Sequence, residues 1–163
     1  MKIRTKWAAA LLACVLLLAA LAGCGTKAQK DGKLHIIATI FPVYEWVQNI
    51  TKGVDTVEVS LLLDKGVDMH SFQPTTKDIV GISDCDVFVY VGGESDEWVE
   101  DVLRDAHNKS MLTVNLMDAM GDAAKVEEAV EGMEAEESDE KEYDEHIWLS
   151  LKNADRLCRH IAE

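Results

Sequence analysis

Positive charge is scarce in this 163-residue chain: 16 lysines and arginines stand against 30 aspartates and glutamates, a formal net charge of −14. Nucleic acid is therefore a poor partner, because binding it rests on cationic side chains that displace counterions from phosphates. Cysteine is scarce too. Of the four present, Cys14 and Cys24 lie in or beside an N-terminal apolar run, which leaves Cys85 and Cys158 for the folded part. Two separated thiols make neither a disulfide framework nor a C-x-x-C zinc knuckle, so packing is the role expected of them. The chain has no H-E-x-x-H, no G-x-S-x-G and no Gly-rich phosphate loop, and Gly92-Gly93 reads as a plain turn. No apolar run reaches the roughly 20 residues that span a bilayer. The longest, Trp7 to Ala22, has 16.

That run follows Lys2, Arg4 and Lys6 and ends in Leu21-Ala22-Gly23-Cys24. A basic start, a short apolar core and small residues before a cleavage point describe a signal peptide over residues 1–23. Its last four residues resemble a bacterial lipobox. The resemblance implies cleavage before Cys24, acylation of that cysteine and a mature protein held by lipid on the outer face of the cytoplasmic membrane. Residues 24–32 then form a polar, glycine-flanked tether. Removing the signal takes away three positive charges, so the remaining 140 residues carry a formal −17. That length is one domain.

From residue 33 onward, strand-like and helix-like segments alternate. "KLHIIATI" (33–40), "TVEVSLLL" (56–63), "DVFVYVG" (86–92) and "MLTVNL" (111–116) are near-continuous apolar runs rich in β-branched residues. Between them Pro42 opens one helix, and Thr75 with Asp78 forms a T-x-x-D capping box for a second. Ser95 is expected to cap a third, whose apolar face is Trp98, Val99, Val102, Leu103 and Ala106. Apolar strands separated by amphipathic helices predict an α/β fold, a parallel sheet covered on both faces. Residues 121–145 break the rhythm with twelve acidic residues and two lysines, and read as a solvated surface loop. Ser150 then caps a last helix with Leu151, Ala154, Leu157, Cys158 and Ile161 on its apolar face. The pattern stops at Glu163 in mid-helix, so a truncated protein is expected.

The five histidines differ in setting. His35, His107 and His160 lie within a strand pattern or near helix ends, where surface or capping roles are expected. His70 instead follows a strand and a "DKGVD" turn and precedes a helix start, the kind of place where parallel sheets bind ligands. His146, in "YDEHIWLSLKNA", lies at a second such junction.

Four stretches, "ATIFPVYEWVQNITKG", "LLLDKGVDMHSFQPTTKDI", "DVFVYVGGESDEWVEDVL" and "YDEHIWLSLKNA", together resemble the zinc and manganese solute-binding lipoproteins of ABC uptake systems. The resemblance runs through residues 33–162 in that family's order. It implies that His70, in a D-x-H-x-x-x-P stretch with Asp68 and Pro74, is one metal ligand and that His146 is another. It further implies that residues 33–163 are the N-terminal lobe of a two-lobed fold with metal held between the lobes. Members of the zinc type often carry a loop rich in His, Asp and Glu before the second histidine; the acidic segment here takes that place without a histidine.

Imidazole nitrogen suits Zn2+, whereas Mn2+ prefers more oxygen donors, so Zn2+ is the expected cargo and Mn2+ the alternative. The implied partners are an ABC permease and, through the lipid, the membrane, with the protein acting as a monomer. Two other readings compete: a scavenging or adhesion lipoprotein without a transporter, and a secreted zinc hydrolase fragment, which would need an open metal position and a placed general base.

Overall fold

Four short strands lie inside the four apolar runs: β1 (Leu34–Ala38), β2 (Val57–Leu61), β3 (Val87–Tyr90) and β4 (Leu112–Asn115). They are seen in a computed structural model that describes residues 32–64, 66–124 and 143–163. All pairings are parallel, in the order β2-β1-β3-β4. Ile36 of β1 is level with Val59 of β2 and with Val87 of β3. β1 and β3 are thus central, and the chain runs outward from each of them in opposite directions. The gap between them is the switch point at which parallel sheets open a crevice.

Among the described residues five helices join and cover the strands: α1 (Phe41–Ile50), α2 (Thr76–Asp84), α3 (Trp98–Arg104), α4 (Leu116–Met120) and α5 (Leu151–Ile161). The period-2 alternation of the strands divides the core between two faces. On one face Ile36, Ala38 and Val89 pack with Val43 and Val47 of α1, Leu116 and Met120 of α4, Ile147, and Leu157 of α5. On the other, Phe88 packs with Ile82 of α2, Cys85, and Val99 and Val102 of α3. Among the described residues neither Cys85 nor Cys158 is in a disulfide, and the buried Cys85 thiol lies 3.4 Å from Met111 Sδ.

The expected helix starts at Pro42, Thr75 and Ser150 are all found. Proline occupies the first turn of α1, where its missing N–H costs nothing. Thr75 Oγ1 accepts from Asp78 N–H at 3.3 Å while Asp78 Oδ2 accepts from Thr75 N–H at 2.8 Å, a complete capping box. Ser150 Oγ accepts from Asn153 N–H at 3.5 Å.

Four expectations need correction. Ser95 does not cap α3: Gly92 and Gly93, both at positive φ, lead into a 3-10 turn, Glu94–Asp96, and the helix begins only at Trp98. The run "MLTVNL" is not all strand, because Asn115 Oδ1 accepts from Asp118 N–H and starts α4. Leu151 is not on a packed face but 89% exposed, whereas Leu157, six residues on, is fully buried. The acidic segment is not uniformly a surface loop either: Gly121–Ala123 forms a 3-10 turn and Glu145 is buried. The signal peptide, Cys24, the tether up to residue 31, and residues 125–142 of the acidic segment lie outside the described residues.

Candidate metal centre

Three segments meet at the carboxyl end of the sheet. After β2 the chain makes a 3-10 turn, Met69–Ser71, started by Asp68, whose Oδ1 accepts from the His70 N–H at 2.8 Å. After β3, Gly92-Gly93 leads into the turn Glu94–Asp96, which packs against the first. The third segment precedes the turn Ile147–Leu149. In it Asp144 Oδ1 accepts from the His146 N–H at 2.9 Å. The same local device, an aspartate folding back on the amide two residues on, therefore presents both histidines.

The two rings stand close, with centroids 5.3 Å apart and planes tilted by 46°. Each has its Nδ1 against an acid. His146 Nδ1 lies 3.0 Å from Asp144 Oδ1. His70 Nδ1 lies 2.8 Å from Ser95 Oγ and 3.2 Å from Glu145 Oε1. Both nitrogens thus face oxygen, and among the described residues neither Nε2 has a hydrogen-bond partner. Trp148 backs His146, with ring centroids 5.2 Å apart, and also lines an apolar cleft of about 400 Å³ with Phe41, Val67 and Met69.

Glu145 is 8% exposed and fully engaged. The Ser95 hydroxyl donates to its Oε1, and the Ser95 N–H donates to its Oε2 at 3.2 Å. Beneath it Asp96, also 8% exposed, accepts from Gly92 N–H at 3.0 Å. Burial lifts the Asp96 carboxyl to about 6; the amides of Gly92 and Val91 oppose the rise and the charge of Glu145 adds to it. Gly93 explains how a carboxylate fits here: a Cβ at that position would lie 2.6 Å from Glu145 Oε2.

The structure thus brings His70 and His146 together and leaves the other histidines apart. His107 bonds to Ser83 and Asp84 at the end of α2. The His35 amide, on β1, bonds Asp86 just ahead of β3, and His160 is exposed on α5. Among the described residues no three His, Cys, Asp or Glu side chains form a group able to hold a metal ion. Sequence reasoning missed Ser95, Asp144, Glu145 and Gly93. One signal was available, D-x-H at 68–70 and at 144–146. It is not sufficient, because Asp105-Ala106-His107 has it as well, and there the histidine amide goes to the Ser83 hydroxyl at 2.6 Å instead.

The family model for ZnuA, the periplasmic component A of a zinc-uptake complex, matches residues 36–163. The chain belongs to this family. Among ZnuA-family relatives, the zinc-binding lipoprotein AdcA of Streptococcus pneumoniae is 34% identical over 147 residues, covering 88% of this chain and 28% of AdcA. The high-affinity zinc uptake system protein ZnuA of Bacillus subtilis is 34% identical over 169 residues, covering 96% and 50%. The crystal structure of Zn(II)-bound AdcA superposes with a TM-score of 0.61 at 32% identity, over 80% of this chain and 25% of that one. A Mn-bound periplasmic metal-binding protein from Candidatus Liberibacter asiaticus gives 0.62 at 26%, over 79% and 43%. The ZnuA-type parallel sheet flanked by helices is therefore the fold of this chain, which spans half or less of the length of these relatives.

Proposed function

We propose that this chain is the metal-capturing lobe of an extracytoplasmic solute-binding lipoprotein, in which His70 and His146 take up Zn2+ for delivery to an ABC permease. The spacing of the two rings carries the reading. A Zn–N bond of 2.0–2.1 Å puts each ring centroid about 3.2 Å from the ion, so two histidines at a tetrahedral angle have centroids about 5.2 Å apart. The two imidazoles stand at 5.3 Å. Carboxylates behind both Nδ1 atoms are the usual support of metal-bound histidine and raise its basicity.

Two imidazoles fill half of a four-coordinate shell. The other donors come from solvent or from a second lobe, so capture closes the lobes and the permease reads the closed shape. An all-nitrogen pair favours Zn2+ over Mn2+. Acyl chains on Cys24 hold the protein, a monomer, at the outer face of the membrane. Residues 1–23 are the signal that takes it there, 24–32 the tether and 33–163 the lobe.

Titration calorimetry of the full chain with ZnCl2 tests the site. His70→Ala and His146→Ala should each weaken binding at least tenfold, and His107→Ala should leave it unchanged. Wild-type affinity in the double variant His70→Ala/His146→Ala would refute the assignment. For the anchor, Cys24→Ala should abolish incorporation of labelled palmitate; equal labelling would refute it.

A further inference from the structure

The proton inventory around His70 is more tightly determined than a single hydrogen bond would make it. Ser95 has one hydroxyl proton, and because the Glu145 carboxylate can only accept, the Ser95 Oγ–Glu145 Oε1 hydrogen bond takes it. The Ser95 oxygen facing His70 Nδ1 at 2.8 Å is therefore an acceptor, and so is Glu145 Oε1 at 3.2 Å. With only acceptors before it, Nδ1 must carry the hydrogen of the neutral ring, which leaves the lone pair on Nε2. Free imidazole side chains in water prefer the opposite form. Glu145 cannot rotate out of this role, because its second oxygen is held by the Ser95 N–H at 3.2 Å and packs over Gly93.

We propose that Ser95 and Glu145 form one positioning unit that fixes His70 as the Nδ1–H tautomer and so presents a bare Nε2 to metal. This rests on His70 being a ligand, but its main consequence is visible without metal. Glu145→Gln is the informative change. The Gln carbonyl must take the place of Oε2 to accept from the Ser95 N–H, which puts its NH2 where Oε1 was. That NH2 donates to Ser95 Oγ, the hydroxyl turns its own proton toward Nδ1, and the tautomer inverts. A ring protonated on Nε2 cannot bind metal there without first moving its proton.

The experiment has two readings on the same full-length proteins. Nitrogen-15 NMR of the metal-free ring should show the Nδ1–H form of His70 in wild type and the Nε2–H form in Glu145→Gln. Competition with a chelating dye for ZnCl2 should show affinity 10–100-fold weaker in Glu145→Gln, the usual effect of losing such a partner. Ser95→Ala leaves Glu145 Oε1 facing Nδ1, so it should keep the wild-type tautomer and lose less affinity. A wild-type His70 in the Nε2–H form overturns the proposal, whether or not the Gln variant folds. So does a folded Glu145→Gln with unchanged tautomer and affinity. If the tautomers behave as stated but His70→Ala binds zinc like wild type, it is the ligand assignment that fails.

Discussion

Replacing Gly93 by alanine separates two ways in which a glycine can matter. Gly93 sits at φ 81°, ψ −168°, a region essentially reserved for glycine, and side chains forced there cost about 1–3 kcal/mol. The added methyl would lie 2.6 Å from Glu145 Oε2 and 3.2 Å from Glu145 Cβ. Because the Cβ is fixed by its own backbone, the carboxylate cannot simply swing aside; it has to leave. Losing the Ser95 N–H bond to that charged acceptor adds about 1.5–3 kcal/mol. The total of about 3–6 kcal/mol is a large part of the 5–15 kcal/mol typical of a domain. Gly53 supplies the control. It has φ 85° but nothing within 4 Å of its would-be Cβ, so Gly53→Ala should show left-handed strain alone, about 1–2 kcal/mol. Urea denaturation followed by tryptophan fluorescence measures both. A Gly93→Ala midpoint matching that of Gly53→Ala, at equal slope, would refute the claim that Glu145 is packed against this glycine.

Three further outcomes are expected. The Asp96 carboxyl rises from 3.8 to about 6 on folding, so the unfolded chain releases that proton first and stability falls as pH climbs from about 4 to 6. Asp96→Asn should remove up to about 3 kcal/mol of that fall, and parallel pH profiles for the two proteins would refute the assignment. Leu157→Ala should cost about 2–5 kcal/mol by opening a cavity under α5, while Leu151→Ala, exposed on the same helix, should stay within about 0.5 kcal/mol; similar thermal midpoints would contradict this packing. Thr75→Ala removes half of the capping box and should cost about 0.5–2 kcal/mol in the same melts.

The layout of the sheet was legible because its signals are local. Apolar runs marked the four strands, and Thr75 with Asp78 marked a helix start within four residues. Ser95 misled because a serine shortly before an amphipathic run looks like a cap. Whether it caps depends on where the Gly92-Gly93 turn sends the chain, and its hydroxyl answers to Glu145, 50 residues away. Glu145 itself was hidden by composition: in a segment with twelve acidic residues nothing local marks Glu145 as buried. The pairing of His70 with His146 came from resemblance to a family, since 76 positions separate them and no spacing rule spans that distance. Asn115 was readable and overlooked, as N-x-x-D with Asp118 is a cap signal at the end of an apolar run.

Asp144, Glu145 and His146 are consecutive, yet they serve different ends: Asp144 holds the ring of His146, and Glu145 holds that of His70. Gain or loss of a single residue within these three positions would rotate one group out of place and shift its neighbour by a whole peptide unit. No compensating side-chain change could restore both histidines together. Length variation among homologues of this lobe should therefore stop abruptly at Asp144, and an alignment that opens a gap between it and His146 would be mispairing the chains.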